Sequence, residues 1–412
     1  MKYQEVFPLP TEWLRDIDVS LARTVARWAE QEVMSKRLEH GEDYDNLLFP
    51  AIRKLFVDIG LQNLPWPEES GGCGMSTGDT ALTLCAVQEQ AGRADMGIAF
   101  LYANTFAIQS ALGIEPHRDE SLLQDLHALF CSGGQVAEGS LILPDYGDGS
   151  QDEDPGLFGL QYQVKLTAKG DDWVLNGENA RPQCSGATAK IFGVICATEK
   201  GDPALLVVPT TASGLERGAP FKKTGLAASI NADLAFRNVK VPKNYLVFDS
   251  IERYREMLGW YYLGCAAACV GACFASWEIL KEWGETRVIK GKGQTFKENP
   301  LAAALMGEIG GRVGIARLLV YDLARILSKP DIYGSAGSSA TFATATAVLR
   351  TVIRAAMDSI NNAMELMGSA GYATEWNLER YWRDVKTVET LLGPETSAQI
   401  DMARHYFECQ TL

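Results

Sequence analysis

Residues 161–180, QYQVKLTAKGDDWVLNGENA, decide the fold of this chain of 412 residues. Apolar and polar residues alternate on both sides of a Gly-Asp pair, which predicts two antiparallel strands joined by a tight turn. Short strand-like runs and glycine turns follow at close spacing: KIFGVICAT, PALLVVPT and LAFRNVKVP. We therefore predict a compact antiparallel β domain over residues 136–245.

The sequence on both sides of this domain has helical periodicity instead. In LARTVARWAEQEVMSKRLEH, for example, apolar residues recur every three to four positions. The same periodicity returns after the β domain and predicts helices over 251–285, 299–327, 338–367 and, with breaks, 383–408. The expected fold class is α+β, with an N-terminal helical domain (1–135), the middle β domain and a C-terminal four-helix bundle (246–412).

Composition excludes several classes of protein. The formal net charge of −14 argues against nucleic acid as the main partner. The most apolar run, WYYLGCAAACVGACFASW from residue 260, is rich in small residues and suits a packed interior helix better than a membrane span. The N-terminus lacks the apolar core of a signal peptide, so we expect a cytoplasmic protein with no membrane segment.

The nine cysteines and four histidines predict no metal site. The cysteines are odd in number and show no CxxC spacing. Cys265, Cys269 and Cys273 share one helix face, but Ala, Val and Gly separate them and no histidine lies nearby. We interpret these three as small packing residues.

Four strings resemble signatures of the acyl-CoA dehydrogenase family. They are PEESGGCGMS (67–76), KTGLAASINADLAFRNVKVP (223–242), MGSAGYATEWNLERYWRDVKT (367–387) and PETSAQI (394–400). They occur in the family's order along most of the chain. The resemblance implies that family's three-domain fold, FAD between the last two domains, an acyl-CoA substrate, a tetramer and electron transfer to an electron-transfer flavoprotein.

The resemblance assigns the catalytic base to Glu395. In the family a glutamate precedes Gly-Thr-x-Gln-Ile, and here it precedes Thr-Ser-Ala-Gln-Ile. A carboxylate can remove the α-proton of a thioester when desolvation raises its basicity and hydrogen bonds stabilise the enolate. We therefore expect Glu395 in a partly dry pocket; the alternative is a glutamate in the first turn of a solvated helix.

The resemblance also assigns residues to the cofactor. Arg287 stands where the family's arginine reaches the flavin pyrophosphate across a dimer interface. Ser397 and Gln399 fall where the base loop contacts the nucleotide part. Gly368 and Gly371 match glycines that let the backbone approach the cofactor.

Other cofactor positions depart from the family. Ile142, in SLILPDYGDGS (140–150), replaces a threonine that bonds the flavin ring, and Ser150 ends that segment. Arg181 and Gln183 fall within the place of a Trp-Ile-Thr string. The remaining departures are Ala227 for an arginine, Lys290 for a phenylalanine and Glu365 for a glutamine.

These departures leave three interpretations open. In the first, FAD binds and Arg181 or Gln183 supplies the donor that the threonine supplied. In the second, the chain has lost its own flavin ring site and supports a second dehydrogenase-like chain in a heterotetramer. The third is a non-redox reaction on a CoA thioester.

The substrate positions are also open to two interpretations. The family's first bundle helix approaches the acyl chain at the positions of Trp260, Tyr261 and Tyr262. In one interpretation these side chains form aromatic walls for a cyclic or aromatic acyl group. In the other they are ordinary helix packing. Asp95 lies near the loop at the acyl end. It is either a second proton acceptor that meets the substrate or a helix cap.

Overall fold

The computed structural model describes residues 6–68, 71–74, 77–112, 119–146, 159–198 and 200–408. Within these residues, a helical region precedes the strands and a second helical region follows them, as the sequence predicts. Ser150 lies outside the described residues.

The N-terminal region is built from α-helices packed around one very apolar helix. The helices are α1 (Asp16–Trp28), α2 (Arg37–His40), α3 (Phe49–Arg53), α4 (Thr77–Ala94), α5 (Met96–Leu112) and α6 (Glu120–His127). Every residue of α5 is buried, because its sequence is apolar or small on all sides. Short 3-10 or π segments extend or join the helices of the chain: Thr11–Trp13, Ala29–Val33, Met34–Lys36, Tyr44–Leu48, Lys54–Asp58, Leu61–Asn63, Ala128–Ser132, Lys243–Tyr245, Phe296–Glu298 and Gly368–Tyr372.

The described residues of the middle region form ten strands. They are β1 (Gly139–Ile142), β2 (Asp145–Tyr146), β3 (Leu160–Gln161), β4 (Lys165–Lys169), β5 (Asp172–Ala180), β6 (Ile191–Ala197), β7 (Pro203–Pro209), β8 (Leu215–Arg217), β9 (Leu234–Pro242) and β10 (Leu246–Phe248). The sheet orders are β1-β6-β7-β10, β2-β3 and β4-β5-β9-β8. The predicted hairpin is confirmed, because Lys169 pairs with Asp172 across the turn. One pair departs from the antiparallel prediction: β1 runs parallel to β6.

The C-terminal region is a helical bundle. Its helices are α7 (Ile251–Thr286), α8 (Pro300–Leu327), α9 (Pro330–Tyr333), α10 (Ser339–Met367), α11 (Leu378–Leu391) and α12 (Glu395–Tyr406). The last predicted helical stretch breaks between α11 and α12, where Gly393 has a φ of 81° and Pro394 follows. Arg350 bonds the carbonyls of Leu392 and Gly393 at 2.7 and 3.1 Å, which caps the end of α11.

Helix α7 forms the centre of the molecule. It is long and apolar enough to cross a membrane, but 83% of its most apolar window is buried inside the protein. A Cβ on Gly271 would lie 2.0 Å from the carbonyl oxygen of Glu89, and one on Gly92 would lie 2.1 Å from that of Ala268. The small residues of α7 therefore let α4 and α7 pack backbone against backbone, and Cys265, Cys269 and Cys273 are buried there, as predicted.

Candidate active site

A cavity of about 300 Å³ lies between the β region and the C-terminal bundle. We call it the tyrosine cavity. Its lining residues are Leu143, Pro144, Asp145, Tyr146 and Gln183 from the β region, Tyr254, Leu258 and Tyr262 from α7, and residues 390–394 from the break between α11 and α12.

Local sequence explains why these groups meet. Tyr254, Leu258 and Tyr262 are four residues apart, so they lie on one face of α7. Gly393 lets the Tyr146 ring approach the break, because a Cβ on this glycine would lie 3.1 Å from Cε2 of Tyr146. The ring of Tyr262 stacks on Phe342 of α10 at 5.9 Å between centroids.

The polar groups of the tyrosine cavity are poorly solvated. Gln183 is 9% exposed, and its side-chain oxygen has no hydrogen-bond partner among the described residues. Burial raises the pKa of the Tyr146 phenol to about 12 and raises the pKa of Tyr254 and Tyr262 as well, so all three are protonated at neutral pH. Asp145 is the exception, because it is exposed, although partial burial raises the pKa of its carboxyl.

Glu395 is the first residue of α12, and its side chain is 40% exposed. Nη2 of Arg354, on α10, donates to its Oε1 at 2.6 Å. The pair lines a separate cavity of about 170 Å³. The expectation that Glu395 lies in a partly dry pocket is therefore corrected. In this conformation its carboxylate is half-exposed and ion-paired, because the start of α12 faces Arg354. Its neighbour Pro394, however, lines the tyrosine cavity.

The other two residues predicted from the base loop have different environments. Ser397 is 1% exposed, and its hydroxyl oxygen has no hydrogen-bond partner in the described part of the chain. Gln399 is exposed. Ser397 therefore offers an unused buried polar atom at the start of α12, and Gln399 faces outward.

Two predicted cofactor residues of the β region do not face the tyrosine cavity. The side chain of Ile142 is fully buried in the core of the β region, because neighbouring residues of β1 point to opposite sides. Arg181 is 57% exposed, and its guanidinium bonds both carboxylate oxygens of Asp233 at 2.7 and 2.8 Å. The prediction that Arg181 replaces the lost flavin donor is therefore corrected, and Gln183 is the residue that faces the cavity.

The prediction that Asp95 meets the substrate is also corrected. Its carboxylate is buried and accepts from Arg37 at 2.6 Å and from Arg380 at 3.3 Å. It also accepts from the backbone N–H of Ile98 at 3.1 Å, which caps α5. These two cations hold the pKa of Asp95 below its usual value despite its burial. Arg380 bonds Asp384 as well at 3.3 Å, so Asp95, Asp384 and the two arginines form one buried charge network.

Of the predicted aromatic wall, only Tyr262 lines the tyrosine cavity. Tyr261 is fully buried and points into the helical core, where Asn104 donates to its hydroxyl at 3.4 Å. Trp260 is 3% exposed and packs on Phe106 at 5.9 Å between ring centroids. The substrate role of Tyr261 is therefore corrected to core packing.

Arg287, Glu365, Gly368 and Gly371 lie at the opposite end of the bundle. Tyr262, near the start of α7, stacks on Phe342, near the start of α10, and Glu365 lies about 35 Å beyond Phe342 along α10. Arg287 follows the last turn of α7, about 37 Å beyond Tyr262 along the helix. Within one chain, these residues therefore do not meet the tyrosine cavity.

Among the residues around the two cavities that sequence reasoning missed are Asp145, Tyr146, Tyr254 and Arg354. The spacing of Tyr254 and Tyr262 by two helical turns was the available signal for Tyr254. The other three meet their neighbours through tertiary contacts between distant segments, and no local pattern marks them.

Comparison with known proteins decides the family. A family model described as acyl-CoA dehydrogenase, C-terminal domain, matches residues 263–393, and one described as acyl-CoA dehydrogenase, N-terminal domain, matches residues 18–116. Together they cover more than half of the sequence. The chain belongs to the acyl-CoA dehydrogenase family. Members of this family are FAD-dependent enzymes that act on CoA thioesters.

Relatives match this acyl-CoA dehydrogenase along most of its length. A probable acyl-CoA dehydrogenase of Bacillus subtilis (strain 168) is 24% identical, over 92% of this chain and 95% of its own. The cyclohex-1-ene-1-carbonyl-CoA dehydrogenase of Syntrophus aciditrophicus (strain SB) is 26% identical, over 90% of this chain and 86% of its own. A glutaryl-CoA dehydrogenase from Mycobacterium smegmatis in complex with FADH2 shares the fold, with a TM-score of 0.77, 18% identity and coverage of 96% and 95% of the two chains.

The residues present fit a flavin in part. The side-chain oxygen of Gln183 and the hydroxyl of Ser397 are buried and have no partner among the described residues, so they suit the polar edge and the linker of this group. Leu143, Leu258 and Leu391 supply apolar walls for a flat ring. Gln183 and Ser397 are thus the two predicted cofactor residues whose surroundings fit this group.

Proposed function

We propose that this chain oxidises a CoA thioester between Cα and Cβ, with FAD as cofactor and Glu395 as the base. The observation that carries the proposal is that Glu395 directly follows residues 391–394, which line the tyrosine cavity, while Gln183 faces the same cavity from the β region. FAD, when bound, would accept the β-hydrogen as a hydride.

Glu395 must leave Arg354 before it can act. The ion pair is half-exposed, so breaking it costs little free energy. Rotation past Pro394 would bring the carboxylate to the apolar side, where the loss of water and of the cation raises its basicity. It would then take the α-proton of the thioester.

The residues that line the cavity favour a substrate with a cyclic or aromatic acyl group. Tyr254, Tyr262 and Leu258 present flat or apolar surfaces on one face of α7, and such surfaces pack well against a ring. The relative from Syntrophus aciditrophicus, named for a cyclohexene-carbonyl thioester, is consistent with this class.

A second copy of the chain, or a related chain, would complete the site. Arg287 lies too far along α7 to reach the tyrosine cavity of its own chain, and its fixed multi-donor cation suits a pyrophosphate. Apolar residues are exposed along α8, where a second chain would cover them: Leu301, Leu305, Ile315 and Leu318. We propose a tetramer that passes its electrons to an electron-transfer flavoprotein.

Exchange of the α-proton tests the role of Glu395 separately from the redox step. The FAD-loaded chain is incubated with a panel of acyl-CoA thioesters in D2O, without oxygen, and deuterium at Cα is measured by mass spectrometry. We expect exchange with at least one thioester, loss of exchange in Glu395→Gln, and normal exchange in the control Glu178→Gln, at an exposed carboxylate on β5 that pairs with Arg237. Equal exchange in Glu395→Gln would contradict the proposal.

The flavin-poor partner subunit is the second candidate, and a specific observation favours it. Neither Ile142 nor Arg181 faces the cavity, so the β region offers Gln183 in place of the family's threonine. A chain that binds FAD only when it is co-expressed with a second dehydrogenase-like chain would support this candidate.

A further inference from the structure

Three hydroxyl groups of the tyrosine cavity are unused by the fold. Tyr146, Tyr254 and Tyr262 all line the cavity, and within the described ranges none of their hydroxyls donates or accepts a hydrogen bond. None of the three oxygens is among the polar atoms sealed inside the described part of the chain without a partner. A ligand in the cavity can therefore reach these hydroxyls, and each has an O–H to donate.

Tyr146 and Tyr262 lie beside the segment that leads to the proposed base. The ring of Tyr146 lies against Gly393, two residues before Glu395, because a Cβ on this glycine would lie 3.1 Å from Cε2 of the ring. Tyr146 points inward because its neighbour Asp145 on β2 points to solvent. Tyr262 lies near Tyr146, since a negative charge on Tyr146 raises the pKa of Tyr262.

A cation lies behind the same part of the wall. Arg350 donates to two carbonyls of the break between α11 and α12. Burial raises the pKa of both Tyr146 and Tyr262, and Arg350 opposes that effect at each of them. Asp401 acts against Arg350, but Arg404 bonds it at 2.8 Å. Both phenols thus keep their protons, and the field of Arg350 favours a negative oxygen in front of them.

The proposed reaction creates such an oxygen. When Glu395 takes the α-proton, the electron pair of the C–H bond moves towards the carbonyl, and negative charge collects on the thioester oxygen. Fixed hydrogen-bond donors in a poorly solvated site stabilise this charge, because they need no reorganisation as it develops. The two phenols can donate hydrogen bonds to the oxygen without transferring their protons.

We infer that the hydroxyls of Tyr146 and Tyr262 donate hydrogen bonds to the thioester oxygen and stabilise the enolate that Glu395 generates. They are thus two further catalytic residues of the site. A phenol donates its hydrogen bond at the edge of the ring, so this role is compatible with packing of a ring face against the acyl group. The inference rests on the proposed function and deepens it.

Acetoacetyl-CoA tests the inference without turnover. Its Cβ is already oxidised, and it ionises to an enolate whose near-ultraviolet absorption differs from that of the keto form. Difference spectra of the FAD-loaded chain at fixed pH give the ratio of bound enolate to bound keto form. We expect the wild type to hold a larger enolate fraction than buffer does. Tyr146→Phe and Tyr262→Phe should each lower the bound ratio about tenfold, as expected for the loss of one hydrogen bond to a charged oxygen.

A ligand without a carbonyl separates this role from packing. The pentyl thioether of CoA has no carbonyl oxygen, so calorimetry should give the same affinity for the wild type, Tyr146→Phe and Tyr262→Phe. Tyr245→Phe is the control variant, because the hydroxyl of Tyr245 bonds Asp125 at 3.2 Å and the residue does not line the cavity. This variant should keep the enolate ratio of the wild type.

The possible results separate the inference from the proposed function. An unchanged enolate ratio in both tyrosine variants, or a wild-type enolate fraction no larger than in buffer, would overturn the inference and leave the proposed function standing. Equal losses of the enolate ratio and of thioether affinity would assign the tyrosines to packing and also overturn it. A change in one variant alone would overturn the role of the other tyrosine. Failure of the wild type to bind either ligand would overturn the proposed function and this inference with it.

Discussion

Arg354 of α10 holds Glu395, the first residue of α12, through a 2.6 Å hydrogen bond between Nη2 and Oε1. The pair lies on the outer side of the break between α11 and α12, while the inner side of the same break lines the tyrosine cavity. The proposed base therefore directly follows residues that line the tyrosine cavity, and we expect its ion pair with Arg354 to oppose its movement towards that cavity.

Replacing Arg354 with methionine is expected to raise turnover. The variant removes the cation that holds Glu395 outside, and an exposed ion pair contributes up to about 1 kcal/mol, so the increase should be no more than about fivefold. Steady-state kinetics with the best thioester measure it. Lys386→Met is the matched control, because Lys386 lines the same small cavity but pairs with Glu389. A fall in turnover specific to Arg354→Met would mean that Arg354 positions the base instead.

Asp95→Asn should destabilise the fold strongly. The substitution leaves Arg37 and Arg380 buried without their shared counter-ion, which costs about 3–5 kcal/mol in the free energy of unfolding. Urea denaturation measures this loss. Asp322→Asn is the control, since its pair with Arg325 is partly exposed and should contribute no more than about 1 kcal/mol. A stable Asp95→Asn variant with a specific loss of substrate binding would restore Asp95 to the substrate site.

Asp384 is expected to make stability depend on pH near neutrality. Burial raises the pKa of its carboxyl from 3.8 to about 7, so between these values the folded chain keeps a proton that the unfolded chain has released. The resulting stabilisation is complete below about pH 4 and is lost as the pH rises through about 7. Between about pH 6 and pH 8 the wild type should lose about 1 kcal/mol that Asp384→Asn does not lose. Identical pH profiles of unfolding for the two proteins would contradict this assignment.

Arg287→Ala is expected to weaken FAD retention in the assembled protein without lowering the melting temperature of the FAD-free chain. Its side chain is exposed at the end of α7 and has no role in the core of its own chain. Lys292→Ala, in the same exposed loop, is the control. The flavin content of each variant after gel filtration measures its FAD retention. Equal FAD retention in both variants would remove Arg287 from the cofactor site.

Much of the fold follows from local sequence. The helices of the bundle and the hairpin at residues 165–180 were predictable, because hydrophobic periodicity and turn residues are local signals. The parallel pairing of β1 with β6 was not, because strands far apart in sequence form it and nothing within either strand encodes its partner.

The site was harder to predict than the fold. The positions of Glu395, Gln183 and Tyr262 follow from the family motifs, but their surroundings depend on residues far away in the sequence. Arg354 lies 41 residues before Glu395 in the sequence. The arginines that pair with Asp95 are likewise distant, on α2 and α11. Whether a carboxylate is dry, solvated or ion-paired is a property of tertiary packing, which single motifs do not carry.

The visible absorption spectrum of the chain, recorded before and after anaerobic addition of acyl-CoA thioesters, tests the central claim most directly. We predict a bound-flavin spectrum that bleaches with at least one thioester in the wild type. Glu395→Gln should keep the flavin but bleach at least about a thousandfold more slowly, as expected on loss of a general base. Absence of flavin even with excess FAD, or equally fast bleaching in Glu395→Gln, would contradict the account.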